Sequence, residues 1–340
     1  MRTIKWAVTA TGNIAHNFAD GMRYAEGAEI VAVSSSSIEH AKSFAKEFGI
    51  NEDNCFDDLE EMLCKSEADA VYVCTPNHLH YEQCLLSMKH GKNVLCEKPM
   101  GDNLKQTKEL IDAAKEADIF LMEGMWSRFF PAVRKVRAWL NEGRIGRPRS
   151  FFASFGTDQR SKESQWRYDS KSSGGALRDV AIYTIAFSSM VFGKPKAWTG
   201  CCELNETGID VFNNIMLTYG EDEAAFMSSS LNSCSPHDLR IVGTEGQIVI
   251  EPYFWKPQKA CLYKFDGTTV GQECVEVFDE EYSGSGFQYE IMAVSDCIRE
   301  NKKVSEEYDF QETLEIAELL EEIRKSWGIV YESDQGEKRG

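Results

Sequence analysis

Across residues 3–122, short apolar runs alternate with stretches of helical periodicity, and this alternation restricts the fold more than any other feature of the chain. The runs are Thr3 to Ala10, Glu29 to Ser34, Ala68 to Cys74, Asn93 to Lys98 and Ile119 to Met122, each short enough to be a buried strand. Strands separated by helices are joined by crossovers, so they lie parallel, and helices then cover both faces of the sheet. The expected architecture is α/β with a doubly wound parallel sheet in this half.

In such sheets ligands bind beyond the carboxyl ends of the strands, so the residues found there matter most. The first run ends in Thr11-Gly12-Asn13-Ile14-Ala15 and passes into a helix. Strand, glycine turn and helix together open a dinucleotide-binding (Rossmann) domain, because backbone amides at the helix start attract a pyrophosphate. Ala10 and Ala15 stand where the full glycine fingerprint has its first and last glycine, so Gly12, Asn13 and Ile14 carry this expectation. The second run ends in Ser35, Ser36 and Ser37 about twenty residues on, where the adenosine ribose is read. Hydroxyls rather than an acid at that place lean toward NADP over NAD, although the same serines suit a helix cap. Thr75, Pro76 and Asn77, with His80 a turn later, end the third run on the same edge.

The fourth run, Asn93-Val94-Leu95-Cys96, stops in Glu97-Lys98-Pro99. Charges are rarely buried without a partner or a task, and proline forces the chain out of the sheet. A lysine at that strand end, beside the Glu97 carboxylate and in the ligand crevice, is a candidate acid/base. The plainer alternative is a surface lysine after an edge strand.

A net charge of −18 argues against a nucleic-acid partner or an anionic membrane surface. No apolar run approaches a transmembrane length, and strand-like sequence from Thr3 leaves no room for a signal peptide. The eleven cysteines are scattered with no C-x-x-C pair, which favours reduced thiols and a cytoplasmic location. His78 and His80 lack partners at ligand spacing, so no metal site is expected.

After Glu123 the texture changes, which sets the expected domains at 1–123 and 124–333, with a disordered tail over 334–340. Phe129-Phe130-Pro131 leads into a basic amphipathic helix, and Trp166-Arg167 precedes an apolar helix beginning in Ser173-Gly174-Gly175-Ala176-Leu177-Arg178-Asp179. Asp179 and Tyr183 share a face of that helix at i and i+4. From Lys196 to Val277 short strands follow one another, so this half is α+β with a largely antiparallel open sheet. Helices near Gln288 to Arg299 and Phe310 to Ser326 close it, too few to cover both sheet faces, and a homodimer is expected.

Taken together, Thr11 to Ala15, Thr75-Pro76-Asn77, Glu97-Lys98-Pro99, Glu123 to Pro131, Gly174 to Tyr183 and Ile323 to Gly328 resemble the Gfo/Idh/MocA family of NAD(P)-dependent oxidoreductases, in particular its dihydrodiol dehydrogenase branch. The resemblance implies that Lys98 is the catalytic acid/base, with Asp179 and Tyr183 as its companions. It also implies that Trp166 and Arg167 join the cofactor residues, and that Trp126 and Trp255 wall an aromatic substrate pocket. The chemistry implied is hydride transfer to or from a carbinol carbon of a sugar, polyol or cyclic diol. An NAD-dependent glycosidase and a non-catalytic nicotinamide sensor are the alternatives.

Overall fold

The computed structural model describes residues 2–335 and falls into two compact units, one running to Phe129 and resuming over Ser283–Leu314, the other covering Phe130–Tyr282 and the residues from Glu315 onward. The division therefore differs from the expected break after residue 123, because the chain returns to its first unit. Its physical cause lies in the packing of the returning segment. A Cβ on Gly21 would stand 2.8 Å from the Cβ of Phe287, the Phe287 ring meets Phe18 edge to face, and Trp6 Nε1 donates to Ser295 Oγ at 3.2 Å.

The first unit carries β1 (Ile4–Val8), α1 (Asn13–Met22), β2 (Ala28–Ser34), α2 (Ile38–Phe48), β3 (Cys55–Phe56), α3 (Leu59–Lys65), β4 (Ala70–Val73), α4 (His80–Lys89), β5 (Asn93–Glu97), α5 (Leu104–Glu116) and β6 (Leu121–Gly124). The sheet order is β3-β2-β1-β4-β5-β6 and every pairing is parallel, as the alternation predicts. Val71, Val73, Val94 and Cys96 are wholly buried between helices, which is why these strands read as unbroken apolar runs. β3 and α3 have no counterpart in the sequence-based expectation, since two strand residues leave no periodicity to detect.

In the second unit, α6 (Pro131–Asn141) precedes β7 (Pro148–Gly156), a π turn at Leu177–Ala181 and α7 (Ile182–Phe192). Seven strands follow: β8 (Ala197–Leu204), β9 (Asp210–Thr218), β10 (Ala224–Ser230), β11 (Leu239–Gly243), β12 (Gly246–Ile250), β13 (Lys259–Phe265) and β14 (Gln272–Asp279). They form one sheet with β7, ordered β14-β13-β12-β11-β7-β10-β9-β8, antiparallel except where β7 and β10 run parallel. α8 (Gln288–Arg299) belongs to the first unit, and α9 (Phe310–Ser326) enters the second at Glu315.

Two expectations are corrected. Ser170–Phe192 is a helical stretch of 23 residues, long and apolar enough by composition to cross a membrane, although none was expected; 72% of its most apolar window is buried within the protein, as befits a core helix. The tail does not begin at Asp334. That carboxylate accepts from Arg324 Nη1 and Nη2 at 2.7 and 2.6 Å and from the Tyr331 amide at 2.9 Å, while the part of the expected tail from residue 336 lies outside the described residues.

Candidate active site

α1 begins at an exposed Gly12 whose backbone is extended, and no side chain caps the helix. By contrast α2, α3 and α5 are capped by Ser37, Asp58 and Asn103. A Cβ at Gly12 would meet nothing within 4 Å. Open space, the first-turn amides of Asn13 and Ile14, which have no acceptor within the helix, and the positive end of the helix dipole fit a pyrophosphate.

Along the same strand ends, Thr11 Oγ1 and Ser35 Oγ are hydrogen-bonded at 3.1 Å and Ser36 is exposed. Ser37 is committed elsewhere: its hydroxyl accepts from the His40 amide at 3.4 Å and donates to Glu39 Oε2 at 2.7 Å. Thr75 donates to Gln83 Oε1, Pro76 is exposed and Asn77 is buried. His80 is wholly buried, with Nδ1 2.9 Å from the Pro99 carbonyl and Nε2 2.8 Å from the Thr75 carbonyl. It ties the end of β4 to the turn after β5, so its role here is to brace the two strand ends.

Lys98 is half-buried at the tip of β5. Glu97 before it is buried, accepting from Tyr72 Oη at 2.5 Å through Oε1 and from the Lys98 amide at 3.3 Å through Oε2. Burial pushes the Glu97 carboxyl up from the usual carboxylate range, and the Tyr72 bond pulls it partly back. The Tyr72 phenol is held well above its ordinary value, first by burial and then by the Glu97 charge, and its ring stacks on Phe18 at 3.8 Å.

The turn is fixed from the other side by Glu123, which accepts from the Met100 amide at 2.8 Å and from Tyr308 Oη at 2.9 Å. Glu290 of α8 completes this set of acids. It is fully buried, and neither carboxyl oxygen has a hydrogen-bond partner among the described residues. Burial, and secondly the Glu97 charge, hold it well above the usual carboxylate range, which favours its neutral form. Trp126, expected as a pocket wall, stacks face to face on Phe287 with centroids 4.4 Å apart in this unit.

In the second unit Asp179 lies on the π turn, a local widening that recurs at functional sites. Its Oδ2 accepts from Arg167 Nε at 2.8 Å, and the Arg167 guanidinium lies 4.3 Å from the centre of the Trp166 ring. Of the expected cofactor pair, Arg167 thus pairs with Asp179, and Trp166 lies against the Arg167 guanidinium. Tyr183, one turn on in α7, is buried beside Phe155 with centroids 5.6 Å apart, and Phe155 stacks on Trp255 at 3.8 Å. Phe254 and His237 meet the same rings edge to face. Tyr183 and Trp255 are thus brought to one aromatic wall.

Tyr72, Glu123, Tyr308, Glu290, Phe155 and His237 were not singled out as site residues in the sequence. Tyr72 alone left a local signal, a hydroxyl inside a fully buried strand that must find a partner.

An uncapped helix start able to hold a pyrophosphate, with an acid and a lysine at the end of a strand in the same sheet, defines an NAD(P)-binding oxidoreductase. Residues 4–125 match the family described as "Oxidoreductase family, NAD-binding Rossmann fold", and residues 133–249 match "GFO/IDH/MocA C-terminal domain". The chain is 35% identical to scyllo-inositol 2-dehydrogenase (NADP(+)) IolU of Bacillus subtilis over 98% of its length and 99% of that protein. It is 32% identical to trans-1,2-dihydrobenzene-1,2-diol dehydrogenase of Xenopus laevis over 96% of its length and 99% of that protein. Among solved structures, a 3-ketoreductase from Actinomadura kijaniata in complex with NADP and TDP-benzene shares the fold, with a TM-score of 0.83 at 24% identity over 95% of this chain and 98% of that one. The protein belongs to the GFO/IDH/MocA family.

Proposed function

We propose that the protein is an NADP-dependent dehydrogenase of a polyol, cyclic diol or sugar, running as a carbonyl reductase in the reverse direction. The observation that carries this reading is Lys98, half-buried at the end of β5 and preceded by a glutamate whose two oxygens are both engaged. Two relatives at 32% and 35% identity are named for oxidation of ring-borne hydroxyls, which supports a substrate of that kind.

The nicotinamide, when bound, supplies the hydride acceptor. Neutral Lys98 takes the proton of the reacting hydroxyl at Nζ, and in reduction its ammonium returns one. Tyr183 donates a hydrogen bond to a substrate oxygen, and Asp179, with Arg167 fixing its Oδ2, accepts one from a substrate hydroxyl. Trp255 and Phe155 offer a flat face to the apolar side of a ring. Gly12, Asn13 and Ile14 hold the pyrophosphate through backbone amides, and Ser35 and Ser36 receive the ribose phosphate.

The protein is further proposed to be a cytoplasmic homodimer. All eleven cysteines are free thiols, which suits a reducing compartment. On the second sheet, Phe152 and Phe226 are 44% and 41% exposed and stack across the β7–β10 pair, an apolar face suited to a second copy.

The test is incubation with NADP or NAD and a panel of polyols, cyclic diols and sugars, following nicotinamide absorbance beside aglycone release from chromogenic glycosides. Net cofactor reduction with a polyol, diol or sugar is the expected result. Aglycone release without net reduction, or dinucleotide binding with no turnover on any substrate, contradicts it.

A further inference from the structure

Asp210 opens β9 and is fully buried. Its Oδ2 accepts from the Leu177 amide at 2.8 Å and from Asn213 Nδ2 at 2.9 Å. Burial pushes its carboxyl up to about 6, while the bonds from Asn213 and the Leu177 amide favour the carboxylate. Leu177 opens the π turn that carries Asp179 and leads into the helix of Tyr183. A buried carboxylate on the first amides of a helix satisfies a donor that would otherwise be orphaned and favours the positive end of the dipole.

The chain before Leu177 is fixed as closely. Gly175 has φ +116°, and a Cβ there would lie 2.4 Å from Asp210 Oδ1, so the carboxyl packs directly on its backbone. Gly174 is pressed against the Arg167 carbonyl, which a Cβ would approach to 2.3 Å, and its own carbonyl accepts from Tyr331 Oη at 2.9 Å. Arg178, next after the anchored amide, stands over the Tyr331 ring at 5.1 Å. Of these contacts only the one from Asp210 reaches a backbone donor within the π turn, two residues before Asp179.

We propose that Asp210 is a positioning residue that acts through the Leu177 amide to fix where Asp179 and Tyr183 stand. The inference rests on the reading that Asp179 and Tyr183 meet the substrate. A displacement of catalytic groups by about 1 Å can cost about 10²-fold in rate, so an anchor of this kind is visible in kcat.

The experiment compares Asp210→Ala, which removes the acceptor, with Asp210→Asn, which keeps one oxygen for Leu177. Asp210→Ala is expected to lower kcat by about 10- to 100-fold with the KM for NADP unchanged, and Asp210→Asn to recover most of the loss. Amide hydrogen exchange supplies a readout independent of turnover, with protection of the Leu177 amide falling by about tenfold or more in Asp210→Ala and largely retained in Asp210→Asn. Unchanged kcat and unchanged protection in Asp210→Ala overturn the inference. Should Asp210→Ala not fold, Asp210→Asn decides: kcat and protection near wild type support it, and loss of both overturns it. Wild-type protein without turnover on any carbinol substrate counts against the proposed function alone, and the exchange result then judges the anchor by itself.

Discussion

Arg167 Nε donates to Asp179 Oδ2 across 2.8 Å, and both side chains are largely shielded from water, 24% and 14% exposed. The bond joins an arginine of the 3-10 helix at Lys162–Tyr168 to the π turn that opens the long apolar helix, and it holds one Asp179 oxygen in place. Arg167→Met is therefore expected to lower kcat by about tenfold or more, with Arg167→Lys intermediate because an ammonium cannot reproduce the guanidinium geometry. Steady-state kinetics check this. Equal activity in all three proteins would show that Asp179 is oriented by something else.

Glu290 makes stability depend on pH in a definite direction. Its folded value is raised, while in the unfolded chain it titrates near the ordinary value of about 4.3. Above that pH the folded state holds a proton that the unfolded chain has released, so each rise in pH favours unfolding until the folded value is reached. The group costs no stability below the unfolded value and progressively more above it. Glu290→Gln removes the titration, so its urea midpoint relative to wild type should improve as pH rises above the unfolded value of about 4.3. A difference that stays constant with pH would mean that Glu290 is ionised in the folded protein.

Much of this was legible beforehand, for identifiable reasons. Parallel strands buried on both faces must be apolar throughout, so Val71 to Val73 and Val94 to Cys96 announced themselves. Gly12 and the Glu97-Lys98-Pro99 ending were visible because the chemistry is carried by consecutive residues. Partners distant in sequence were not. Tyr308 meets Glu123 across a separation of 185 residues, and nothing local to either reports the other. The π turn at Leu177–Ala181 has the same apolar pattern as an α-helix and differs only in its hydrogen bonding. Arg167 pairs with Asp179 because the 3-10 helix at Lys162–Tyr168 folds back onto the turn, which no periodicity encodes.

In the proposed function cofactor choice falls to Ser35 and Ser36, because Ser37 is already used by α2. Ser36 is exposed at the end of β2, so Ser36→Asp should leave folding intact and set a negative charge against a 2′-phosphate. The ratio of kcat/KM for NADP over NAD is expected to fall by about tenfold or more. An unaltered ratio would place the phosphate elsewhere.

The outward ring pair on the second sheet predicts self-association. Phe226→Lys sets a charge on the apolar face beside Phe152 without entering the core, since Ala225 and Met227 on either side point inward. Light scattering of wild type should give twice the chain mass of 38.4 kDa, and the variant should approach the single chain mass. Wild type at the single chain mass would leave that face to another use.

Lys98→Met keeps most of the side-chain stem and removes the amine, and its turnover tests the account most directly. Folding and dinucleotide affinity should be unchanged while kcat falls by about 10²- to 10⁴-fold, the usual contribution of a positioned acid or base. Near-normal kcat with a wild-type pH profile would contradict the assignment of proton transfer to Lys98.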